Sequence, residues 1–290
     1  MPSNSQPEIS TTVLPNGIEI YCFQKNEEIF LIYEQVQEYF RHGIKINKGD
    51  IVFDVGANIG IFSLYTWKEN EGDVNIYAFE PIAKTFELLE GNIKRLTSEK
   101  VKAIPCGLSN YARTEKFGFY PNTSSISTVY PDGSKEEKDK FKKAALQKIN
   151  EVHGSKNIFH PLYKYTVIPH FMLSFILNRK IQKAFVVEQV TCQIKTLSEI
   201  IHDYKVPHIN LLKIDVEKSE LDVLLGIKPQ DWTKIKQIVL EVHDLENRVE
   251  TIKTLLASHG FDKVVVEQEP YLKGTDICNM YALRAEINKK

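Results

Sequence analysis

Short apolar runs alternate with stretches of helical periodicity along most of the chain. Residues 50–55, 73–79, 101–105, 208–214 and 235–242 have the length of buried strands. Residues 59–67, 83–96, 197–204, 219–225 and 246–258 carry apolar side chains at helical spacing, as Phe86, Leu89 and Ile93 do. Thr196 or Ser198 caps one of these helices, and Gly226 and Gly260 end two others. Strands alternating with helices predict an α/β fold with a mostly parallel sheet covered on both faces. Right-handed crossovers then limit the topology. The chain closes differently: 261–266 and 279–284 are strand patterns with no helix between them, which predicts an antiparallel hairpin at the sheet edge.

Two segments fall outside this rhythm. Residues 1–10 read as a polar tail. A turn at Leu14-Pro15-Asn16-Gly17 leads into a strand pattern at 18–23, and 28–40 has helix-like spacing ending near Gly43. Residues 1–48 are thus an N-terminal hairpin and helix extension, and 49–290 the main domain. After a strand at 114–120 comes a polar loop, then a charged helix at 134–151 with Phe141, Ala145 and Ile149 four residues apart. Residues 157–183 are aromatic and irregular, and strand character resumes at 187, with a strand over 190–194. The stretch 121–186 reads as a helical, lid-like insertion.

Composition narrows the partners. The net charge of −1 shows no long basic stripe, so nucleic acid is not an expected partner. Cys22, Cys106, Cys192 and Cys278 are scattered without CxxC spacing, which argues against zinc and for reduced thiols. The most apolar stretch outside the strands, 165–177, contains Pro169 and His170 and is too short to span a bilayer. The polar N-terminus lacks a signal core. A cytoplasmic protein with no membrane partner is expected.

The chemistry starts at Asp54-Val55-Gly56-Ala57-Asn58-Ile59-Gly60. Asp54 and Val55 close a strand at its carboxyl edge, where open α/β sheets bind ligands. Gly56 permits a sharp turn and close ligand approach. Asn58 either caps the next helix or adopts a backbone conformation that bulkier residues resist. Gly60 permits tight packing of helix on sheet. This D-x-G-x-x-x-G spacing lacks the glycines that admit a pyrophosphate, which argues against a nicotinamide oxidoreductase. An acidic residue before the turn suits a cation, such as the amino group and sulfonium of S-adenosyl-L-methionine. Glu80, 20 residues after Gly60 at a strand end, can accept both hydroxyls of a ribose.

At these residues the sequence resembles the FkbM-type methyltransferase family. The matching pieces are residues 49–60, Ala78-Phe79-Glu80-Pro81, Cys106-Gly107-Leu108-Ser109, 211–217 with 220–224, and 238–244. The likeness covers about 40–130 and 187–285. It implies a class I, Rossmann-like methyltransferase fold of seven strands with the last antiparallel, and O-methylation of a small peptide or polyketide natural product. Some such domains sit inside larger multidomain enzymes. One departure is Lys218-Ser219, where the family commonly has Gly-Ala. By analogy, Gly56, Asn58 and Gly60 line the methionine part of the cofactor with Val55 beside them. Asp54 holds its amino group, Glu80 its ribose, and Pro81 with Cys106, Gly107 and Leu108 its adenine.

Asp215 follows one strand, Glu217 lies two residues on, and Glu241 and His243 lie at the end of the next strand. All four fall at the carboxyl edge of the sheet. His243 has the intrinsic pKa of a base for a hydroxyl acceptor, with Asp215, Glu217 and Glu241 as catalytic partners and Asp215 also facing the cofactor. A carboxylate acceptor needs no base. Asp215 and Glu217 could instead cap the helix near Ser219. The spacing shows no sharper ligand pattern, so no metal is expected. Methylation of nitrogen, of sugars or of lipids fits the same fold, as does a non-catalytic domain of a multienzyme.

Overall fold

The computed structural model describes residues 9–23 and 27–284. Most of the predicted tail, residues 1–8, lies outside them. Its end does not: β1 (Ser10–Val13) pairs antiparallel with β2 (Glu19–Cys22) across the turn at Leu14 to Gly17. Ser10 thus belongs to β1 rather than to the predicted tail, drawn in with the β-prone Thr11, Thr12 and Val13. Helix α1 (Glu27–Glu38) follows and buries Ile29, Tyr33 and Val36.

Strands β3 (Ile51–Val55), β4 (Asn75–Phe79) and β5 (Val101–Ile104) alternate with α2 (Ile61–Glu69) and α3 (Ala83–Lys94). Strands β6 (Gly107–Leu108), β7 (Arg113–Phe119) and β8 (Glu188–Lys195) form a separate small sheet with β8 in the middle. Between β7 and β8 lie α4 (Lys135–Ser155), α5 (Tyr163–Thr166) and α6 (His170–Ala184). Then come α7 (Leu197–Asp203), β9 (Ile209–Ile214), α8 (Glu220–Leu225), β10 (Ile235–His243), α9 (Arg248–Ser258), β11 (Lys263–Glu267) and β12 (Ile277–Leu283).

The main sheet has seven strands in the order β11-β12-β10-β9-β3-β4-β5. Strand β12 runs antiparallel to both neighbours, and the β10–β9, β9–β3, β3–β4 and β4–β5 pairs are parallel. This is the class I methyltransferase arrangement. The final hairpin is at the edge as expected, but its last strand is not. The almost wholly buried β12 inserts between β10 and β11, leaving the half-exposed β11 outside.

The irregular reading of 157–183 is overturned by α5 and α6. Pro169 sits at the start of α6, where its missing N–H is harmless, rather than interrupting a helix. Leu173, Leu177 and Ile181 recur every four residues and bury one face of α6. Leu173 and Leu177, with Ile149, Val152, Leu162 and Tyr165, give the insertion a small core.

Two larger cores cover the sheet. Phe53, Val55, Leu212, Ile214, Leu240 and Val242 pack with α7, α8 and α9. Val52, Leu211, Val239 and Tyr281 pack with α1, α2 and α3. The alternation of side chains then puts Asp54, Lys213 and Glu241 on the second face, next along their strands from Val52, Leu211 and Val239. That face is apolar at its base and charged at its carboxyl edge.

Candidate active site

The sheet order reverses between β3 and β9, and the loops after these two strands meet there. The Asp215 N–H donates to the Val55 carbonyl at 3.0 Å. Gly56 has φ +77°, and a Cβ on it would lie 1.7 Å from the Asp215 carbonyl oxygen, so only glycine fits. Asn58 is left-handed, with φ 49°, which selects the second of its two expected roles; Gly60, not Asn58, stands at the start of α2. The N–H groups of Gly56 and Ala57 both donate to the Phe79 carbonyl, which fixes the loop against β4.

Glu80 ends β4 and is buried. Its two oxygens accept from the N–H groups of Ile82 at 2.9 Å and Asn58 at 3.1 Å. Burial raises its pKa to about 7 in spite of those bonds. With Val55, Gly56, Pro81, Gly107 and Leu108 it lines a cleft of about 60 Å³. Cys106 does not line it. Its side chain joins the core beneath, and burial raises the thiol to about 11, so it is a core thiol.

Asp54 is also not where the sequence reading put it. It is fully buried and lines none of the cavities described here. One oxygen accepts from the Ser63 hydroxyl at 2.7 Å, and the other lies 3.1 Å from the Lys213 ammonium. Lys213 was not foreseen. It is a buried lysine that donates to the Gly56 carbonyl at 2.9 Å and lies 3.6 Å from Asp215. Burial would lower its pKa, but Asp54 and Asp215 outweigh burial and raise it. Asp54 thus anchors the lysine that braces the glycine loop. Tyr39, just after α1, donates to Asp215 Oδ2 at 3.1 Å, and Gln35 of α1 donates to Glu241.

Asp215, Glu217 and Glu241 converge, with one oxygen from each lying within 4.8 Å of the others. Asp215 and Glu217 do not stand at the N-cap of α8, which is Ser219 and makes no side-chain cap bond. Burial, then Asp215 and Glu217, raise the Glu241 pKa well above the carboxylate range. Burial also raises Glu217, opposed by His243. His243 Nε2 lies 3.3 Å from Glu217, and Nδ1 lies 3.4 Å from Glu220. Burial would lower the His243 pKa, but these two carboxylates raise it well above the usual value. The two carboxylates thus favour the imidazolium over the free base that its position in the sequence suggests. The three carboxylates are also the one group among the described residues whose ligand atoms converge closely enough for a metal ion.

Two large cavities meet this cluster. One of about 490 Å³ is lined by Tyr39, Gly56, Asn58, Lys213, Asp215, Glu217 and Glu241, with α1, α4 and α6 residues above them. The other, about 450 Å³, reaches Glu217, Lys218 and His243. Glu217 also lines the Glu80 cleft, so it stands where all three spaces join. Phe141, Ala145 and Lys148 of α4 line both large cavities, which makes the insertion their roof. Lys218, the departure from the family pattern, pairs with Glu137 of α4 at 2.5 Å and ties roof to rim. Tyr39, Gln35 and Lys213 were missed because helix α1 lies far away in sequence and the lysine hides in an apolar strand. The Leu-Leu-Lys-Ile run, a lone charge inside a buried strand, was the available signal.

Comparison with known proteins follows this geometry. The family model described as "Methyltransferase FkbM domain" matches residues 54–263. The 31-O-demethyl-FK506 methyltransferase FkbM of Streptomyces tacrolimicus is 34% identical over 279 residues, covering 95% of this chain and 97% of that protein. The AMB antimetabolite synthetase AmbE of Pseudomonas aeruginosa is 34% identical over 281 residues, and the match covers 93% of this chain but spans 12% of that protein. A crystal structure of a methyltransferase FkbM from Methylobacillus flagellatus aligns with a TM-score of 0.49 at 13% identity, covering 88% of this chain and 52% of that one. The family match and the Streptomyces relative, with the seven-stranded order and the glycine loop at the switch point, show that the chain belongs to the FkbM methyltransferase family and is an S-adenosylmethionine-dependent methyltransferase.

Proposed function

We propose that the enzyme methylates a hydroxyl oxygen of a predominantly apolar small molecule of peptide or polyketide type. The observation that carries this is the convergence of Asp215, Glu217 and Glu241 where the cofactor cleft opens into the large cavity. An acidic cluster that already shares its space disfavours a further carboxylate as acceptor. It also holds an amine as its ammonium, which has no lone pair to offer. A hydroxyl is neutral, tolerates the cluster and needs a base. The cavity walls, among them Leu31, Ile32, Phe62, Phe141 and Ile181, suit an apolar acceptor body. The name of the Streptomyces relative, which specifies transfer to oxygen, supports the reading.

S-adenosyl-L-methionine supplies an electrophilic methyl group when bound. The residues fit it. Glu80 would hold the ribose, Gly107 and Leu108 would wall the base, and the backbone at Gly56 and Asn58 would face the methionine part. Glu217 takes the hydroxyl proton. Burial raises its pKa and makes it a stronger base than an ordinary carboxylate, while the His243 ring 3.3 Å away opposes that rise and favours the ionised form. Asp215 and Glu241, held by Tyr39 and Gln35, orient the acceptor. Competing acceptors test this directly. Matched apolar molecules bearing a hydroxyl, a carboxyl or an amine are incubated with the cofactor, and methylated product is located by mass spectrometry. Hydroxyl methylation is expected; preferential methyl ester or N-methyl product would overturn the proposal.

A further inference from the structure

Helix α6 carries more apolar surface than its packing uses. Leu173 and Leu177 face the insertion core, and Ile181 is buried on the same side. Phe171, Met172 and Phe175 point the other way, Phe171 being 75% and Phe175 63% exposed. Val167, one turn earlier in the chain, is also exposed, as are Ile158 and Phe159 in the loop before α5, Phe159 at 90%. Isolated exposed apolar residues are common, but six large ones within 18 consecutive residues are not.

Charge says what covers them. Between Glu151 and Glu188 the chain contains no aspartate or glutamate, yet it holds Lys156, Lys164, Arg179, Lys180 and Lys183. That stretch is +5 in a chain of net −1, which leaves −6 for the rest. Lys164 and Lys180 are paired to Glu27. Lys156, Arg179 and Lys183 have no carboxylate partner among the described residues, and the Arg179 guanidinium lies 5.9 Å from the Phe175 ring centre. Protruding phenylalanines on a basic segment, with Arg179 beside Phe175, match a surface that is apolar inside and anionic at its rim.

We infer that α5, α6 and the loop before them dock on an anionic lipid surface, with Phe159, Phe171 and Phe175 inserted at the headgroup level and Lys156 and Arg179 on the lipid phosphates. No helix among the described residues is long and apolar enough to cross a membrane, so this is a peripheral contact. It departs from the expectation of no membrane partner, which rested on the lack of a spanning segment. The opposite face of α6 lines the 490 Å³ cavity through Leu177 and Ile181. Docking would therefore place the cavity roof against the bilayer, where an apolar acceptor concentrates.

Vesicle co-sedimentation of the whole chain tests this. Phosphatidylcholine vesicles with about 30 mol% phosphatidylserine should bind at least about tenfold more tightly than phosphatidylcholine alone, and raising NaCl to about 0.5 M should remove most of the difference. The double change Phe171→Ser, Phe175→Ser should weaken binding about tenfold or more. So should Lys156→Glu with Arg179→Glu, which leaves the phenylalanines intact and guards against a folding defect in the first variant. Equal binding to both vesicle types would overturn the inference. So would absence of vesicle binding together with a dimer, or a complex with an acidic protein, that the phenylalanine changes dissolve. None of these outcomes depends on which acceptor atom is methylated.

Discussion

Lys213→Met is the sharpest perturbation of the frame beneath the site. The ammonium is buried and holds three acceptors: Asp54, Asp215 and the Gly56 carbonyl. Asp215 keeps Tyr39 without it and is partly exposed, so its loss is modest. Asp54 is fully buried and would keep only the Ser63 hydroxyl. The Gly56 carbonyl would lose its donor. Leaving one partner of a buried ion pair costs about 3–5 kcal/mol. For a chain of this size that lowers Tm by about 6–15 °C. Thermal unfolding followed by circular dichroism measures it. Adding Asp54→Asn to Lys213→Met removes the stranded charge and should recover at least about half of the loss. A decrease under about 2 °C in the single variant would refute the reasoning, since Asp54 would then not depend on the lysine.

Other consequences are equally open to measurement. Gly56→Ala drives a methyl into the Asp215 carbonyl, so cofactor affinity by calorimetry should fall at least about a hundredfold even in protein that remains folded. Glu80 is a carboxyl whose folded pKa, about 7, lies above its usual 4.5. Its contribution to stability is present below the lower value and lost as pH rises through the higher one, by about 3 kcal/mol. Glu80→Gln should flatten that part of the stability profile between pH 4.5 and 7 while weakening cofactor binding, and an unchanged profile would contradict the burial argument. His243 contributes with the sign of a raised histidine. Its ion pairs stabilise fully below its unfolded pKa of about 6.5 and are lost as pH rises through the higher folded value, so His243→Gln should destabilise most in mild acid.

Much of this fold follows from sequence physics. Strands β3, β9 and β10 are buried on both faces and read as apolar runs, and the glycines after β3 announce the turn where the sheet order reverses. The site was legible where one residue's constraint is local, as at Gly56 and Glu80. It was not legible where the constraint comes from a distant element. Asp54 was assigned to the cofactor because its partner, Lys213, lies 159 residues away in sequence. Cys106 was assigned to the adenine because a backbone turn does not reveal which way its side chain points. His243 was read as a base because the carboxylates that favour its charged form, Glu217 and Glu220, meet it only when the loop after β9 folds back under Arg248. Helix α6 was missed because apolar residues on both its faces erase the amphipathic period, a pattern that the docking surface accounts for.

The central claim is that Glu217, at the junction of the three cavities, takes the proton from a hydroxyl acceptor. Single-turnover methyl transfer to a hydroxyl acceptor by Glu217→Gln, with cofactor affinity measured on the same sample, tests it most directly. The account predicts a loss in rate of at least about a hundredfold with cofactor affinity unchanged within about threefold. Transfer at the wild-type rate would contradict it.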